Sequence, residues 1–98
     1  METAVIAGFG NTSGALFSGT ENLKNVWIGS KLPSNNANLF TNLETDINFY
    51  FYTMTKEEVI AASGGKDDWF TNASVKAHFY FKDTIPADAV WPEDIQPA

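Results

Sequence analysis

Two aromatic stretches decide the fold of this chain: DINFYFYTM at residues 46–54 and ASVKAHFYFKD at residues 73–83. In both, apolar and polar side chains alternate, which is typical of a β-strand with one buried face. The side chains predicted to point inward are Ile47, Phe49 and Phe51 from the first stretch, and Ala73, Val75, Ala77, Phe79 and Phe81 from the second. The two strands are therefore predicted to build one phenylalanine-rich core.

The other side of both predicted strands is polar and rich in tyrosine. It carries Asn48, Tyr50, Tyr52, Ser74, Lys76, His78, Tyr80 and Lys82. Parallel strands are usually covered on both faces and read as continuous apolar runs, so this alternation favours antiparallel pairing. We therefore predict an α+β fold with a mostly antiparallel sheet. Its tyrosine-rich side either meets water or a partner, or is covered by a helix over residues 56–63 or by the Asn-rich loop and forms a second core.

One short helix is predicted over about residues 56–63. Thr55 and Glu58 have the spacing of a capping box, in which each side chain accepts a hydrogen bond from the backbone N–H of the other residue. Val59 follows as an apolar residue that would dock on the sheet, because a helix this short is not stable alone in water. Gly64-Gly65 is predicted to end the helix.

The first forty residues are predicted to form short strands between loops rich in Gly, Asn and Ser. The candidate strands are Thr3–Ala7, Ala15–Phe17 and Asn25–Gly29, and the strongest loop signal covers residues 31–38. No internal repeat of solenoid length is evident in the sequence.

The chain changes character after Asp83, where prolines are spaced among acidic residues. We predict a single β-rich domain over residues 1–85 and a Pro-rich acidic arm over residues 86–98. The segment Trp91–Ala98 cannot form a packed element of its own. It is predicted either to cross the domain as a strap or to contact a neighbouring molecule.

Composition excludes several classes of protein. A chain of 98 residues forms one domain, too small to combine a catalytic domain with a cofactor domain. It contains no cysteine, which excludes thiol catalysis and thiolate metal sites. Its net charge is −6 and all six basic residues are lysines, which disfavours direct binding to nucleic acid.

Neither a membrane span nor a secretory signal is predicted. No apolar run approaches the ~20 residues that cross a bilayer, and Met1-Glu2 is acidic where a signal peptide carries basic residues. The expectation is a soluble protein without membrane contact. It would be cytoplasmic on synthesis and available for incorporation into a virion or an extracellular assembly.

Residues 4–33 contain a glycine-rich turn between two predicted strands. Gly8 and Gly10 follow the first strand as in a dinucleotide-binding turn, and Ser30-Lys31 follows the second. This segment resembles the opening of the deazaflavin-dependent NADP reductases. The resemblance implies that Gly8 and Gly10 form the pyrophosphate turn and that Ser30 and Lys31 contact the 2′-phosphate. The alternative is a glycine-rich turn between two edge strands.

No catalytic or metal-binding motif is found. His78 is the only histidine and has no accompanying nucleophile motif, so a surface histidine is the favoured interpretation. Acidic pairs that could bind calcium lack the spacing of an EF-hand loop. These pairs are Asp67-Asp68, Asp83 with Asp88, and Glu93-Asp94. We predict no catalytic site, no metal and no cofactor.

These observations favour a non-enzymatic structural or interaction protein, a small subunit of a larger assembly such as a virion, tail or filament. Its partners are predicted to be proteins, either further copies of the chain or neighbouring subunits. The predicted contact residues are Tyr50, Tyr52, His78, Tyr80, Trp91 and Ile95. Three alternatives remain open: a small acidic inhibitor that mimics nucleic acid toward a host enzyme, an NADP-binding module, and a sugar-binding β-domain.

Overall fold

A computed structural model describes residues 3–6, 23–32 and 37–95 of the chain. The four strands in this part are β1 (Thr3–Ile6), β2 (Asn25–Ile28), β3 (Ile47–Phe51) and β4 (Ala77–Phe81). Two short helices, α1 (Lys56–Ala62) and α2 (Asp68–Thr71), lie between β3 and β4, and a 3-10 turn covers Glu93–Ile95. The predicted strand at Ala15–Phe17 lies outside the described residues, as do Gly8 and Gly10.

The strands form a single sheet in the order β1-β2-β3-β4, and every neighbouring pair is parallel. The prediction of a mostly antiparallel sheet is therefore wrong. That prediction assumed that connections between parallel strands cover both faces of a sheet. Here each strand lies beside the one that precedes it in the chain, and the described parts of the connections pack on one face only, so the other face keeps its polar side chains.

The strand order and the parallel direction are those of a solenoid, in which each turn of chain adds one strand next to the last. Twenty-two residues separate Thr3 from its partner Asn25, 23 separate Asn25 from Asn48, and 30 separate Asn48 from His78. A repeat of one strand every 22 to 30 residues is thus visible in the strand register, although no repeat was evident in the sequence. Among the described elements, substantial contacts join only strands that are neighbours in the order.

One face of the sheet, the core face, is covered by the connections. Its buried side chains are Val26, Ile28, Ile47, Phe49, Phe51 and Phe81, with Phe79 packed beside them. Phe40 from the β2–β3 connection lies 4.7 Å from Phe49 between ring centroids, and Trp69 of α2 lies 5.5 Å from Phe51. The predicted phenylalanine-rich core is therefore confirmed, and it is closed by aromatic residues from the connections.

The second aromatic strand is shorter than predicted. β4 begins at Ala77, and Val75, predicted to face the core, is 93% exposed. Two backbone hydrogen bonds shape this start: Ser74 N–H donates to Phe40 C=O at 2.9 Å, and Ala77 N–H donates to Ser74 C=O at 3.0 Å. These bonds hold residues 74–77 in a turn, so the alternation that begins at Ala73 is not extended chain throughout.

The predicted helix is confirmed as α1 with its cap, but the prediction of one helix is wrong, because α2 is a second one. Glu58 N–H donates to the Thr55 hydroxyl at 3.3 Å, and Thr55 N–H donates to the Glu58 carboxylate at 2.9 Å. Val59 is fully buried on the core face, which anchors this short element to the sheet. Gly64 and Gly65 follow with φ of 78° and 75°, the left-handed conformation that commonly ends a helix.

Candidate functional site

The face opposite the core face, here called the reverse face, carries two rows of aligned side chains. The polar row is Thr3, Asn25, Asn48 and His78, and the second row is Val5, Trp27, Tyr50 and Tyr80. In-register parallel pairing places the four members of each row side by side across the sheet. The reverse face is therefore where most of the predicted contact residues meet.

The rings of the second row are stacked. Trp27 and Tyr50 lie 4.1 Å apart between centroids with planes 11° from parallel, and Tyr50 and Tyr80 lie 5.1 Å apart at 18°. Trp27 and Tyr50 are buried, whereas Tyr80 remains half-buried. Tyr80 is thus the accessible end of a rigid aromatic row, the type of surface that proteins use to contact other molecules.

The phenol of Tyr50 is perturbed by this environment. Burial raises the pKa of Tyr50 above its ordinary value, and the neighbouring Tyr80 and Asp88 add to the effect. Asp88 belongs to the C-terminal segment, so that segment lies close enough to the reverse face to influence its electrostatics. The phenol stays protonated, and able to donate a hydrogen bond, over a wider pH range than a free tyrosine.

The C-terminal segment covers part of the reverse face. The Trp91 ring lies 4.6 Å from that of Trp27 and 5.8 Å from that of Tyr52. Of the two alternatives predicted for this segment, the described portion adopts the strap, with Trp91 packed across the ends of β2 and β3. Ile95 lies in the terminal 3-10 turn, half-buried, and its N–H donates to Pro92 C=O at 3.2 Å.

The polar row is held by side-chain hydrogen bonds. Asn48 Nδ2 donates to Asn25 Oδ1 at 3.2 Å, which links β2 to β3. Beside them, His78 Nε2 lies 3.1 Å from Asp46 Oδ1, and both side chains are largely exposed. No other described side chain forms a hydrogen bond to His78, so the pair has an orienting acid but no nucleophile. The pair therefore presents exposed hydrogen-bonding groups beside the polar row.

A second feature, which sequence reasoning missed, lies at the outer edge of β4. An open pocket of about 530 Å³ is bordered by aromatic rings and by charged side chains from α1 and from the turn after β4. Its lining residues are Lys56, Glu57, Phe70, Phe79, Tyr80, Phe81, Asp83 and Thr84. Lys56 Nζ sits 3.8 Å from the centre of the Phe70 ring. The pocket forms because β4 is the outer strand of the sheet. Side-chain alternation does not show which strand is outermost, so the sequence did not predict the pocket.

The geometry of an NADP site is not found in the described part of the chain. β1 and β2 are parallel neighbours, as the resemblance implies, but dinucleotides bind where the strand order of a sheet reverses. The order β1-β2-β3-β4 contains no such reversal. Ser30 and Lys31 follow β2, where the Ser30 hydroxyl donates to Lys31 C=O at 3.2 Å.

The acidic pairs are dispersed over helices, turns and the C-terminal segment. Within residues 3–6, 23–32 and 37–95, no group of three or more His, Asp or Glu side chains could hold a metal ion. In the same ranges, no helix has the length and apolar character needed to cross a membrane.

No protein-family model, curated protein or solved structure matches this chain. Two surfaces of the described structure are candidates for function, the reverse face and the β4 edge.

Proposed function

We propose that this protein is a non-enzymatic interaction protein that works as a small subunit of a larger assembly. Its reverse face is the proposed contact surface for neighbouring protein molecules, with Tyr80 and His78 as the accessible contacts and Trp91 and Tyr52 at its border. The observation that carries the proposal is the stacked row Trp27–Tyr50–Tyr80 on the reverse face, where the C-terminal segment covers Trp27 and leaves Tyr80 half-buried.

Ordering a contact surface on binding costs free energy. A side chain that is flexible before binding loses conformational entropy when it is immobilised. Tyr80 is already stacked at 5.1 Å on Tyr50, and Tyr50 is fixed by Trp27, so little freedom remains to be lost. His78 adds a polar group, oriented by Asp46, next to this rigid surface. An apolar ring beside a fixed polar group is the composition of a protein contact hot spot.

Tyrosine footprinting tests this proposal. Purified protein would be nitrated at micromolar and at millimolar concentration, and also in extract of cells that make it naturally, with modified tyrosines identified by mass spectrometry. We expect Tyr80 to become protected in the concentrated protein or in the extract. Tyr50, already buried, serves as the internal control and should react weakly throughout. Equal, full reactivity of Tyr80 under every condition would contradict the proposal.

A further inference from the structure

The outer edge of β4 has backbone groups available for pairing. Ile47 N–H donates to Lys76 C=O at 3.0 Å, which sets the alternation of the β3–β4 ladder. In a parallel ladder, every second residue directs its N–H and C=O to the same neighbour. His78 and Tyr80 therefore pair with β3, while the backbone groups of Ala77, Phe79 and Phe81 point to the outer side of the sheet.

Part of this edge is already occupied by local bonds. Phe81 N–H donates to the Thr84 hydroxyl at 2.7 Å, and Phe81 C=O accepts from Thr84 N–H at 2.8 Å. Ala77 N–H is bound to Ser74 C=O. The N–H and C=O of Phe79 and the C=O of Ala77 remain, with no partner among the described residues. Phe79 also lines the pocket of about 530 Å³, together with Phe70.

The outer edge of β1 is the counterpart of this surface. Gly29 N–H donates to Ile6 C=O at 3.0 Å, so Ala4 and Ile6 pair with β2. By the same alternation, the backbone groups of Thr3 and Val5 point away from the sheet. Val5 is 43% exposed, a large apolar side chain at a strand edge that no other described strand pairs with. Open edges of this kind readily accept another strand.

We propose that a second copy of this chain docks head to tail, its β1 adding to β4 as the next parallel strand. The aligned rows would continue with Ala4 of the second copy opposite Phe79 and Val5 of the second copy opposite Tyr80. Phe79 N–H then donates to Thr3 C=O of the second copy, and Phe79 C=O accepts from its Val5 N–H. This inference rests on the proposed assembly role, but it assigns a different surface, the sheet edges.

Three features favour a second copy over an unrelated strand. All three free groups on β4 find a partner on β1 when the existing register is continued, since Ala77 C=O meets Thr3 N–H and Phe79 meets Thr3 C=O and Val5 N–H. Of the four outward groups on β1, only Val5 C=O is left over, because Phe81 N–H is bound to Thr84. The same register keeps Ala4 and Ile6, which pack against the core, on the core face next to Phe79 and Phe81. Extents of 30 × 29 × 22 Å give an end face of roughly 600–900 Å², close to the ~800 Å² per partner of a stable interface.

Such a contact joins two different surfaces, so each copy keeps one free end and the contact can repeat along a filament. The end of a solenoid normally needs a polar cap, whereas here the β4 end presents half-buried Phe70 and Phe79 beside an open pocket. Each copy carries a net charge of −6, so added salt should strengthen the association by screening repulsion.

Site-directed disulfide formation tests both the contact and its register. The chain has no cysteine, so each variant carries a single thiol. We would mix Val5→Cys with Tyr80→Cys, and Thr3→Cys with His78→Cys, under mild oxidation. Aligned residues on adjacent parallel strands are about 5 Å apart between Cα atoms, which suits a disulfide. The two swapped mixtures, Val5→Cys with His78→Cys and Thr3→Cys with Tyr80→Cys, are matched controls offset along the strand by about 6.6 Å.

We expect the two aligned mixtures to form a cross-linked dimer at least tenfold more abundantly than the swapped mixtures. Light scattering of the unmodified protein should show species larger than the monomer, and Val5→Pro should reduce them, because proline removes the edge N–H. Equal cross-linking in all four mixtures, or none in any, would overturn the inference. If cross-linking fails but Tyr80 is still protected in the footprinting experiment, the head-to-tail contact is wrong and the proposed function stands. If the cross-links are specific but Tyr80 is not protected, the head-to-tail contact stands and the proposed function is wrong.

Discussion

The indole of Trp91 lies 4.6 Å from that of Trp27, and this contact joins the C-terminal segment to the reverse face of the sheet. Trp27 is 1% exposed, although it lies on the face that no described helix covers. Its burial therefore depends on Trp91 on one side and on Tyr50 on the other. The segment after β4 is thus part of the folded unit at least as far as Trp91.

Replacing Trp91 tests this dependence. We expect Trp91→Ala to lower the free energy of unfolding by about 2 kcal/mol, since a partly buried ring and its aromatic contacts are lost. Urea unfolding would measure the change, and acrylamide quenching should show that Trp27 becomes accessible. The matched control is Val90→Ala at the adjacent position, which is 88% exposed and should change stability by less than about 0.5 kcal/mol. Equal stability of both variants would show that the segment does not contribute to the fold.

A close approach at Gly29 leads to a second expectation. A Cβ atom added there would collide with the hydroxyl of Tyr52 and lie 3.0 Å from its Cζ. The Tyr52 ring cannot move freely because it packs 5.8 Å from Trp91. We expect Gly29→Ala to destabilise the protein by about 1–3 kcal/mol, the usual cost of overpacking.

A double-mutant cycle with Tyr52→Ala separates this collision from other effects of changing Gly29. In the Tyr52→Ala background the space is open, so Gly29→Ala should cost less than about 0.5 kcal/mol. Thermal unfolding of the four proteins gives the coupling energy. An undiminished cost in that background would mean that Gly29 is needed for another reason.

The alternation of side chains predicted most of the buried residues, with Val75 as an exception, but not how the strands run. The inward placement of Phe49, Phe51 and Phe81 and the polar reverse side both hold in the structure. Strand direction depends on where the connections between strands pack. Here the connections contact the core face through Phe40 and Trp69, which belong to no strand, so the strand pattern did not indicate the direction. Side-chain alternation is the same for either direction when one face of the sheet stays uncovered.

Part of the candidate site was predictable from the sequence, and part was not. Tyr50, Tyr80 and His78 were expected together because all three alternate with core residues on the aromatic stretches. The β4 edge was not expected, because an edge exists only once the strand order is known. The strand repeat was also not predictable from the sequence, since aligned residues such as Asn48 and His78 differ in identity and their spacing along the chain is irregular.

The capping box of α1 provides a third expectation. Thr55→Ala removes the hydroxyl that accepts from Glu58 N–H, and such a loss typically costs about 1 kcal/mol. Chemical unfolding would measure it, with Thr53→Ala, exposed and outside the helix, as the control. A change no larger than that of the control would mean that the cap does not stabilise the fold.

The same cap should respond to acid. Hydrogen bonds from the backbone and side chain of Thr55 hold the pKa of Glu58 below its ordinary value. A lowered pKa in the folded state means that the unfolded chain binds more protons in acid. The contribution is therefore present above the ordinary glutamate pKa and is lost as the pH falls through the lowered one. We expect the stability difference between wild type and Glu58→Gln, whose side chain does not titrate, to shrink on acidification; a constant difference would contradict this.

Tyr50 should show the opposite dependence at alkaline pH. Burial, then Tyr80 and Asp88, raise its pKa in the folded state, so above the ordinary tyrosine pKa the unfolded chain releases its proton first. The stability that Tyr50 contributes is present below the ordinary pKa and is lost as the pH rises through the raised one. Tyrosinate absorbance should therefore contain a late-titrating component that is missing in Tyr50→Phe, and that variant should lose less stability between neutral and strongly alkaline pH. If wild type and Tyr50→Phe differ only in the amplitude of a single ordinary titration, Tyr50 is not shielded by the stacked row.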